Sequence, residues 1–299
     1  MKRIALKIDV DTSQAITVGL PQIIPVLQSH QAGATLFWAL GDEKNGSFLR
    51  PARYIRRTPG RSEIKLKVRY DVSALLRGSF KPSKNLAKVV SVSLSSLALS
   101  AFEHGVRPAQ QYDWQNNIMQ RDMNQTREAY DDALAKFEKT FSAKVICHAA
   151  SGWQINRAAF RLHQIHQLEF ASDCRGIFPF WPIVSGEYTR CPQIPVTLPM
   201  LEELLPKMDI AEAIDHLKQL TELRPSEFHV FNIAADFDVR YVQQLDELFA
   251  AWKNQGYDLV SLGVLKQSLD LKKLPYHHVS MQPCPGRYGL LATQADVYP

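Results

Sequence analysis

The stretch that decides the fold is IALKIDVDT, residues 4–12, an apolar run that ends in two aspartates. It has the length and composition of a buried β-strand, with Asp9 and Asp11 at its carboxyl end. Side chains two residues apart in a strand point to the same side, so these carboxylates should lie close together. Two like charges need a compensating cation or a shared proton. The pattern therefore indicates either a metal-dependent hydrolase site or a strand end with two solvated acids.

Strand-like and helix-like segments alternate on both sides of this run. Strands are predicted over 4–10, 34–40, 103–107, 145–149, 170–172, 193–196, 227–234 and 259–262. Helices are predicted over 18–31, 86–101, 122–141, 156–167, 201–205, 210–221, 239–255 and 264–271. This order indicates an α/β fold with a parallel sheet, open or closed into a barrel. Active residues of such folds lie at the carboxyl ends of the strands.

The composition is that of an ordinary globular protein: 299 residues, of which 45% are hydrophobic and 22% charged. No repeat or low-complexity linker divides the chain, which favours one domain over residues 1–299. No apolar run reaches the roughly 18 residues of a membrane span, and the first residues do not resemble a signal peptide. The four cysteines form no C-x-x-C pair, which predicts reduced thiols in a cytoplasmic protein.

The positive charge is concentrated in one segment that interrupts the alternation, a predicted insertion at about 45–85. Residues 50–84 contain eleven basic and two acidic side chains, whereas the whole chain has a net charge of +5. Apolar residues are interleaved with the bases, which suits the surface of an anionic membrane. Nucleic acid and a simple solvated face are the alternatives, and we expect no nucleic-acid partner. The residues expected to bind lipid are Arg53, Arg56, Arg57, Lys65 and Lys67.

Several short motifs agree in order and spacing with a known family over nearly the whole chain. They are IDVDT at 8–12, GW at 152–153, SDCRG at 172–176, QIPVTLP at 193–199 and GRYG at 286–289. Together they resemble the polysaccharide deacetylase (NodB-homology) family, and within it the deformylases and deacetylases of undecaprenyl-phosphate-linked amino sugars. The resemblance implies a distorted (β/α) barrel of about seven parallel strands.

The resemblance also implies a site. The family removes an N-acyl group with a divalent metal, for which zinc, cobalt or manganese would serve here. Asp9 matches the catalytic base and Asp11 a metal ligand. Asp173 and Arg175 match the SDCRG motif, and Gln154 stands where an arginine often supports the base.

The histidines of the family pattern are missing. The branch has a segment like E-x-G-[LI]-H-x-W-D-H-x-x-W-Q, and a gap-free alignment with residues 103–115 puts Arg107 and Gln111 at the two metal-binding histidines. A later I-H-A-E segment carries the catalytic acid, and we expect Ile233 at that histidine. Arginine has no lone pair for a metal, and its charge repels a dication by about 8 kcal/mol at 4 Å and an effective dielectric of 20. Arg107 is instead expected to pair with Asp9 and Asp11.

Two functions remain open from the sequence. One is an active de-N-acylase that hydrolyses the N-acyl group of an undecaprenyl-phosphate-linked amino sugar, in cell-envelope polysaccharide or lipid A modification. The other is a degenerate, non-catalytic member that still binds the polyprenyl-phosphate amino sugar and needs no cofactor. Both place the protein peripherally on the inner face of the cytoplasmic membrane. Among the other histidines, His148 and His104 are the candidates for replacing a lost ligand.

Overall fold

The structure, a computed structural model, describes residues 2–43, 60–64, 84–93, 99–108, 121–223 and 227–298. Its strands are β1 Lys2–Val10, β2 Ala34–Trp38, β3 Asp42–Glu43, β4 Lys84–Asn85, β5 Glu103–Val106, β6 Cys147–His148, β7 Phe170–Ala171, β8 Trp181–Val184, β9 Glu187–Tyr188, β10 Phe228–Ala234, β11 Tyr257–Val260, β12 Tyr276–Pro283 and β13 Leu290–Val297. Its α-helices are α1 Leu20–Ser29, α2 Leu86–Ser93, α3 Met123–Phe141, α4 Arg157–Ile165, α5 Leu201–Leu204, α6 Ile210–Leu223, α7 Ala235–Asp238, α8 Val242–Asn254 and α9 Leu262–Gln267.

A parallel sheet of seven strands forms the centre of the molecule, in the order β10-β1-β2-β5-β6-β7 with β11 also paired to β1. Strand β1 pairs with β10 along most of its length. On its other side it pairs first with β11 and then with β2. The helices flank this curled sheet, so the predicted distorted (β/α) barrel in a single domain is confirmed.

The gap between the two edge strands of the sheet is closed by the segment at 193–198. The Ile194 amide donates to the carbonyl of Ala171, the last residue of β7, at 2.8 Å. The Thr197 and Leu198 amides both donate to the Val230 carbonyl in β10, at 3.2 and 3.1 Å. The segment was predicted as a short strand over 193–196; it pairs through isolated bridges instead. These hydrogen bonds connect β7 to β10 and so close the curled sheet into a ring.

Successive side chains of β1 alternate between two apolar layers. Ile4, Leu6, Ile8 and Val10 belong to the large cluster formed with the surrounding helices. Ala5 belongs to a second cluster with interior residues such as Phe37, Cys147, Phe170 and Val230. Lys7 and Asp9 have the same parity as Ala5, so they point into the barrel.

Helices α3 and α4 each follow a polar residue that caps the helix N-terminus. Asp122 accepts a hydrogen bond from the Gln125 amide at 2.8 Å, and the Gln125 side chain accepts from the Asp122 amide, which makes a capping box for α3. Asn156 accepts from the Ala159 amide at 3.0 Å and caps α4. Such caps stabilise a helix by about 1 kcal/mol each. They fix where α3 and α4 begin against the barrel.

A second sheet, in the order β13-β12-β8-β9, was not predicted. The expectation that the last strand ends at residue 262 is therefore wrong. Strands β12 and β13 are only half-buried and mix polar with apolar residues, so no regular pattern marks them. This sheet joins the barrel at Arg175, whose amide donates to the Ala292 carbonyl at 2.9 Å and whose carbonyl accepts from Gln294.

Two further predictions concern cysteines and membrane spans. All four cysteines are free thiols, as expected. Within the described part of the chain, no helix combines the length and the apolar character needed to cross a bilayer.

Candidate functional site

The site lies at the carboxyl ends of β1, β5 and β10, inside the barrel. Asp9 is the neighbour of Ala234 across the β1–β10 pair. Arg107 follows the last residue of β5, and its amide donates to the Trp38 carbonyl at the end of β2 at 3.1 Å. Strand β2 separates β5 from β1, so only a long side chain can reach the aspartates from there. Arginine has that length.

Arg107 forms ion pairs with both aspartates. Its Nη1 lies 2.5 Å from Asp9 Oδ1, and its Nε lies 2.7 Å from Asp11 Oδ1. All three residues are buried, and Arg107 is only 2% exposed. The predicted contact between Arg107 and the two carboxylates is therefore confirmed. One buried guanidinium bridges the pair of acids that opens the sequence motif.

Electrostatics hold Arg107 in its charged form. Burial alone would lower the pKa of Arg107, but the Asp11 and Asp9 carboxylates outweigh it, and the pKa is raised above its ordinary value. Asn232 Nδ2 donates to the second oxygen of Asp9 at 2.8 Å. Both Asp9 oxygens are thus engaged by the protein itself, one by a cation and one by an amide.

A second buried cation, Lys7, lies on the same interior face. Its ammonium donates to the Ser172 carbonyl at 2.9 Å and lies 5.4 Å from the Phe37 ring centre and 5.7 Å from that of Trp153. Burial lowers the pKa of Lys7 to about 8, against the opposing attraction of Asp9. The interior of the barrel therefore has two cations close to its acids.

The residues at Asp9 and Asp11 do not fit the metal that the fold family implies. Arg107 offers no lone pair and occupies the space beside both carboxylates. In the ranges that the structure covers, one group of three side chains has metal-binding separations, and it contains neither Asp9 nor Asp11. No catalytic step through a metal at these aspartates follows from this geometry.

The prediction that Ile233 lines the site is wrong. Ile233 is the neighbour of Ile8, and both belong to the layer that packs against the helices. The next residue, Ala234, is the neighbour of Asp9 and belongs to the interior cluster. When Ile233 is aligned with the isoleucine of I-H-A-E, Ala234 falls on the histidine. In that alignment an alanine stands where the resembling family has its catalytic histidine.

Two of the other predicted site residues lie close to the barrel mouth. Gln154 is buried, and its Nε2 donates to the Leu290 carbonyl of the second sheet at 2.7 Å. Arg175 donates to the Leu198 carbonyl at 3.0 Å and pairs with Glu203 at 3.3 Å. Neither is among the contacts found for Asp9. Gln111 lies outside the described residues, as do Arg53, Arg56, Arg57, Lys65 and Lys67.

Asp173 points away from the barrel interior, toward the helices. Its Oδ1 lies 2.7 Å from Nδ1 of His148, and its Oδ2 accepts from Gln193 at 3.1 Å. His148 follows interior Cys147 in β6, so its ring is on the helix side of the sheet. His104 accepts from the Trp38 indole at 3.0 Å and stacks on Phe141. These contacts turn both histidines away from Asp9 and Asp11.

A cluster of cations and aromatic rings adjoins the aspartates. The Arg287 and Arg175 guanidinium carbons lie 4.8 and 5.0 Å from the Trp153 ring centre. Met200 connects this cluster to the site, because its sulfur lies 3.2 Å from Asn232 Nδ2 and 2.9 Å from Arg287 Nη2. Contacts through Asn232 and Met200 therefore link Asp9 to Arg287.

Sequence reasoning missed Lys7 and Asn232. Both are polar residues inside otherwise apolar strands, at positions whose side chains point into the barrel. A buried polar residue in a strand is uncommon unless it has a partner. The parity of Lys7 with Asp9 in the run IALKIDV was the available signal.

Comparison with known proteins finds similar curated sequences over nearly the whole chain. The chain is 26% identical over 303 residues to a probable 4-deoxy-4-formamido-L-arabinose-phosphoundecaprenol deformylase from Shewanella sediminis, covering 99% of this chain and 95% of the relative. It is 23% identical to the Wigglesworthia glossinidia brevipalpis protein of the same description, covering 94% and 98% of the two chains. No protein-family model matches.

The fold is also that of solved polysaccharide deacetylases. A Mycobacterium smegmatis structure assigned to that family superposes with a TM-score of 0.63 at 13% identity, covering 94% of each chain. The resemblance drawn from the motifs is confirmed: the chain is similar in sequence to the deformylase branch and has the polysaccharide deacetylase fold.

Proposed function

We propose that this chain is a degenerate homologue of the deformylases that binds a polyprenyl-phosphate-linked amino sugar without metal-dependent hydrolysis. The single observation that carries the proposal is the pair of buried contacts from Arg107 to Asp9 and Asp11. A metal ion at Asp11 would have to displace a guanidinium that both carboxylates hold. With Ala234 beside Asp9, the proton donor that the family pattern supplies there is lost as well.

Polar groups of the barrel interior suit a saccharide ligand. Asn232 Oδ1, Ser172 Oγ and Trp153 Nε1 are buried and have no hydrogen-bond partner among the described residues. Buried polar atoms are ordinarily paired, and sugar hydroxyls can both donate and accept. The Trp153 ring adds an apolar face of the kind that small-molecule sites combine with a few placed polar groups.

The charge around Trp153 suits the phosphate of the lipid carrier. Arg175 and Arg287 lie against the ring, and their guanidinium groups can bind phosphate through two parallel hydrogen bonds. Glu203 now pairs with both arginines, at 3.3 and 2.9 Å. A phosphate would compete with this carboxylate. The named substrate of the two curated relatives is a sugar on phosphoundecaprenol, which supports this choice of ligand.

The proposal is tested with a water-soluble short-chain polyprenyl phosphate that carries a 4-formamido sugar. Titration calorimetry should detect binding, and mass spectrometry should find the formyl group intact after incubation with zinc, cobalt or manganese. Asn232→Leu should weaken binding about tenfold, because it removes an interior amide and leaves one Asp9 oxygen unpaired. Ile233→Val, at the next residue but facing the helices, is the matched control and should bind normally.

The alternative is an active de-N-acylase, favoured by the presence of both Asp9 and Asp11. Metal-dependent release of formate that is abolished in Asp9→Asn would establish it and overturn the proposal. Failure of the wild-type chain to bind the probe at all would overturn the proposal too.

A further inference from the structure

Outside the barrel interior, three potential metal ligands converge in a second buried cluster formed by His148, His163 and Asp173. One ligand atom from each residue lies within 4.8 Å of the others. His148 is 2% exposed, and His163 and Asp173 are fully buried. The cluster lies between the ends of β6 and β7 and the helices α3 and α4. It is therefore separate from the Asp9–Asp11–Arg107 site.

The distances in this cluster are close to those of a metal site. His163 Nε2 lies 3.6 Å from Asp173 Oδ2, and His148 Nδ1 lies 2.7 Å from Asp173 Oδ1. Tetrahedral zinc with ligands at about 2.0–2.1 Å places neighbouring ligand atoms roughly 3.3 Å apart. The first distance already has that value to within a few tenths of an ångström. The second, which ends on the other Asp173 oxygen, has to open by about half an ångström. The three ligand atoms lie within 4.8 Å of one another, so the widest separation has to close when an ion binds.

Several buried atoms around Asp173 have no hydrogen-bond partner in the described parts of the chain. They are both ring nitrogens of His163, Nε2 of His148 and the hydroxyl of Tyr130. Hydrogen bonds within the cluster therefore leave His163 unsatisfied, although its ring is completely buried. Burying such a group without a partner is costly. A metal ion would bind the lone pair of a His163 ring nitrogen, which no hydrogen bond among the described residues uses.

Supporting contacts hold the three side chains in place. Gln193 donates to Asp173 Oδ2 at 3.1 Å, and its own oxygen accepts from the Asp173 amide at 3.0 Å. The Tyr130 ring stacks on His148 at 5.2 Å between ring centres. Such contacts orient metal ligands in known sites. Two imidazoles and one carboxylate are a donor set that suits zinc, cobalt, nickel or copper rather than magnesium or calcium.

We propose that His148, His163 and Asp173 bind one transition-metal ion of the zinc type, which clamps helix α4 to the carboxyl ends of β6 and β7. The ion has a structural position on the helix side of the sheet. Because the two sites share no residue, this proposal does not depend on the function proposed for the barrel interior.

Titration of the full-length protein with cobalt tests the proposal. We expect one cobalt ion per chain, with the visible absorption of a four-coordinate ion and zinc competing for the same site. His163→Gln and Asp173→Asn should each weaken binding by at least about tenfold. His166→Gln is the matched control: His166 lies three residues beyond His163 and pairs with exposed Asp131, so its loss should leave cobalt affinity unchanged.

The location of the ion is tested separately. Asp11→Asn should leave cobalt binding intact; if it abolishes binding, the ion belongs to the barrel site, and both this proposal and the proposed function fail. If cobalt does not bind, or if His163→Gln binds it normally, this proposal alone fails. Zinc should also raise the Tm of the wild-type chain, because an ion bound only by the folded state stabilises it. This rise requires no variant to fold, and its absence would overturn the proposal.

Discussion

At the scale of single residues, Arg107 determines the chemistry of the site. It puts a fixed positive charge beside Asp9 and Asp11 and compensates two buried acids with one side chain. The same geometry makes both acids dependent on Arg107, because its loss leaves two buried carboxylates without their shared cation.

Arg107→Met should lower the free energy of unfolding by about 3–5 kcal/mol, because Asp9 and Asp11 then remain buried without a cation. Urea denaturation measures this. Arg161→Met removes a surface pair with Glu187 and should leave the midpoint nearly unchanged. Adding Asp9→Asn and Asp11→Asn to Arg107→Met should recover most of the loss, since the two carboxylates that Arg107 compensates are then neutral amides. A fully retained stability in Arg107→Met would show that the ion pairs do not form.

Lys7 predicts an unusual dependence of stability on pH. Its pKa is about 8 in the folded protein and 10.5 for a free side chain. Between these values the unfolded chain binds a proton that the folded chain lacks, so stability rises with pH. Relative to Lys7→Met, the wild type should gain about 3 kcal/mol between pH 8 and pH 10.5. A constant difference across this window, measured by denaturation at several pH values, would contradict the assignment. Lys2→Met, exposed at the start of the same strand, is the surface control.

For single residues, the sequence predicted which charged side chains form pairs. It was less informative about the side of the sheet on which a side chain lies. The pairing of Arg107 with Asp9 and Asp11 could be predicted, because all three residues lie at or just beyond strand ends and paired carboxylates need a compensating charge. Asp173 was expected to line the site but faces the helices, where it contacts His148. The motif alone does not state on which side of the strand end its aspartate lies.

At the scale of elements, the parity of β10 decides which residue faces Asp9. Asn232 and Ala234 point into the barrel and Ile233 does not. The register of β1 with β10 fixes this, and a shift of one residue reverses every side chain. An error of one position in aligning the I-H-A-E segment was therefore enough to assign the wrong residue.

The direction in which Ala234 faces can be tested by introducing the histidines of the family pattern. In the background Arg107→His and Gln111→His, adding Ala234→His should produce slow, metal-dependent deformylation, because it places an imidazole beside Asp9. Catalysis should remain weak, since productive geometry must hold to about 0.5 Å. Ile233→His in the same background is the matched control; it should give no activity and should lower the Tm, since it buries a polar ring against the helices. Equal activity of the two variants would contradict the register.

The sequence predicted the strands and helices of the barrel better than the strands of the second sheet. The strands and helices of the barrel followed from long apolar runs and helical periodicity. The second sheet did not, because β12 and β13 are half-buried and carry no regular alternation. The segment predicted as a strand over 193–196 forms isolated bridges instead. Its role in joining β7 to β10 depends on tertiary contacts that no local pattern encodes.

At the scale of the whole molecule, the basic segment at 50–84 remains a prediction from the sequence. Most of it lies outside the described residues. We expect the protein to sediment with vesicles containing anionic lipid and to be released by salt, because exposed charges are screened beyond about 8 Å at physiological ionic strength.

Replacing Arg53, Arg56 and Arg57 by Glu should abolish this sedimentation. The same change at Lys136, Lys139 and Lys144, on and just beyond α3, is the control with equal charge and should reduce it much less. Equal binding to neutral and anionic vesicles would contradict the membrane role, and so would tighter binding to nucleic acid than to lipid.

The most direct test of the central claim is an anomalous-scattering map of crystals grown with zinc, recorded at the zinc absorption edge. We expect no zinc peak at the Asp11 carboxylate and continuous density for Arg107 in contact with Asp9 and Asp11. A zinc ion bound to Asp11 at about 2.0–2.2 Å, with the Arg107 guanidinium displaced from both carboxylates, would contradict it and favour the active deacylase.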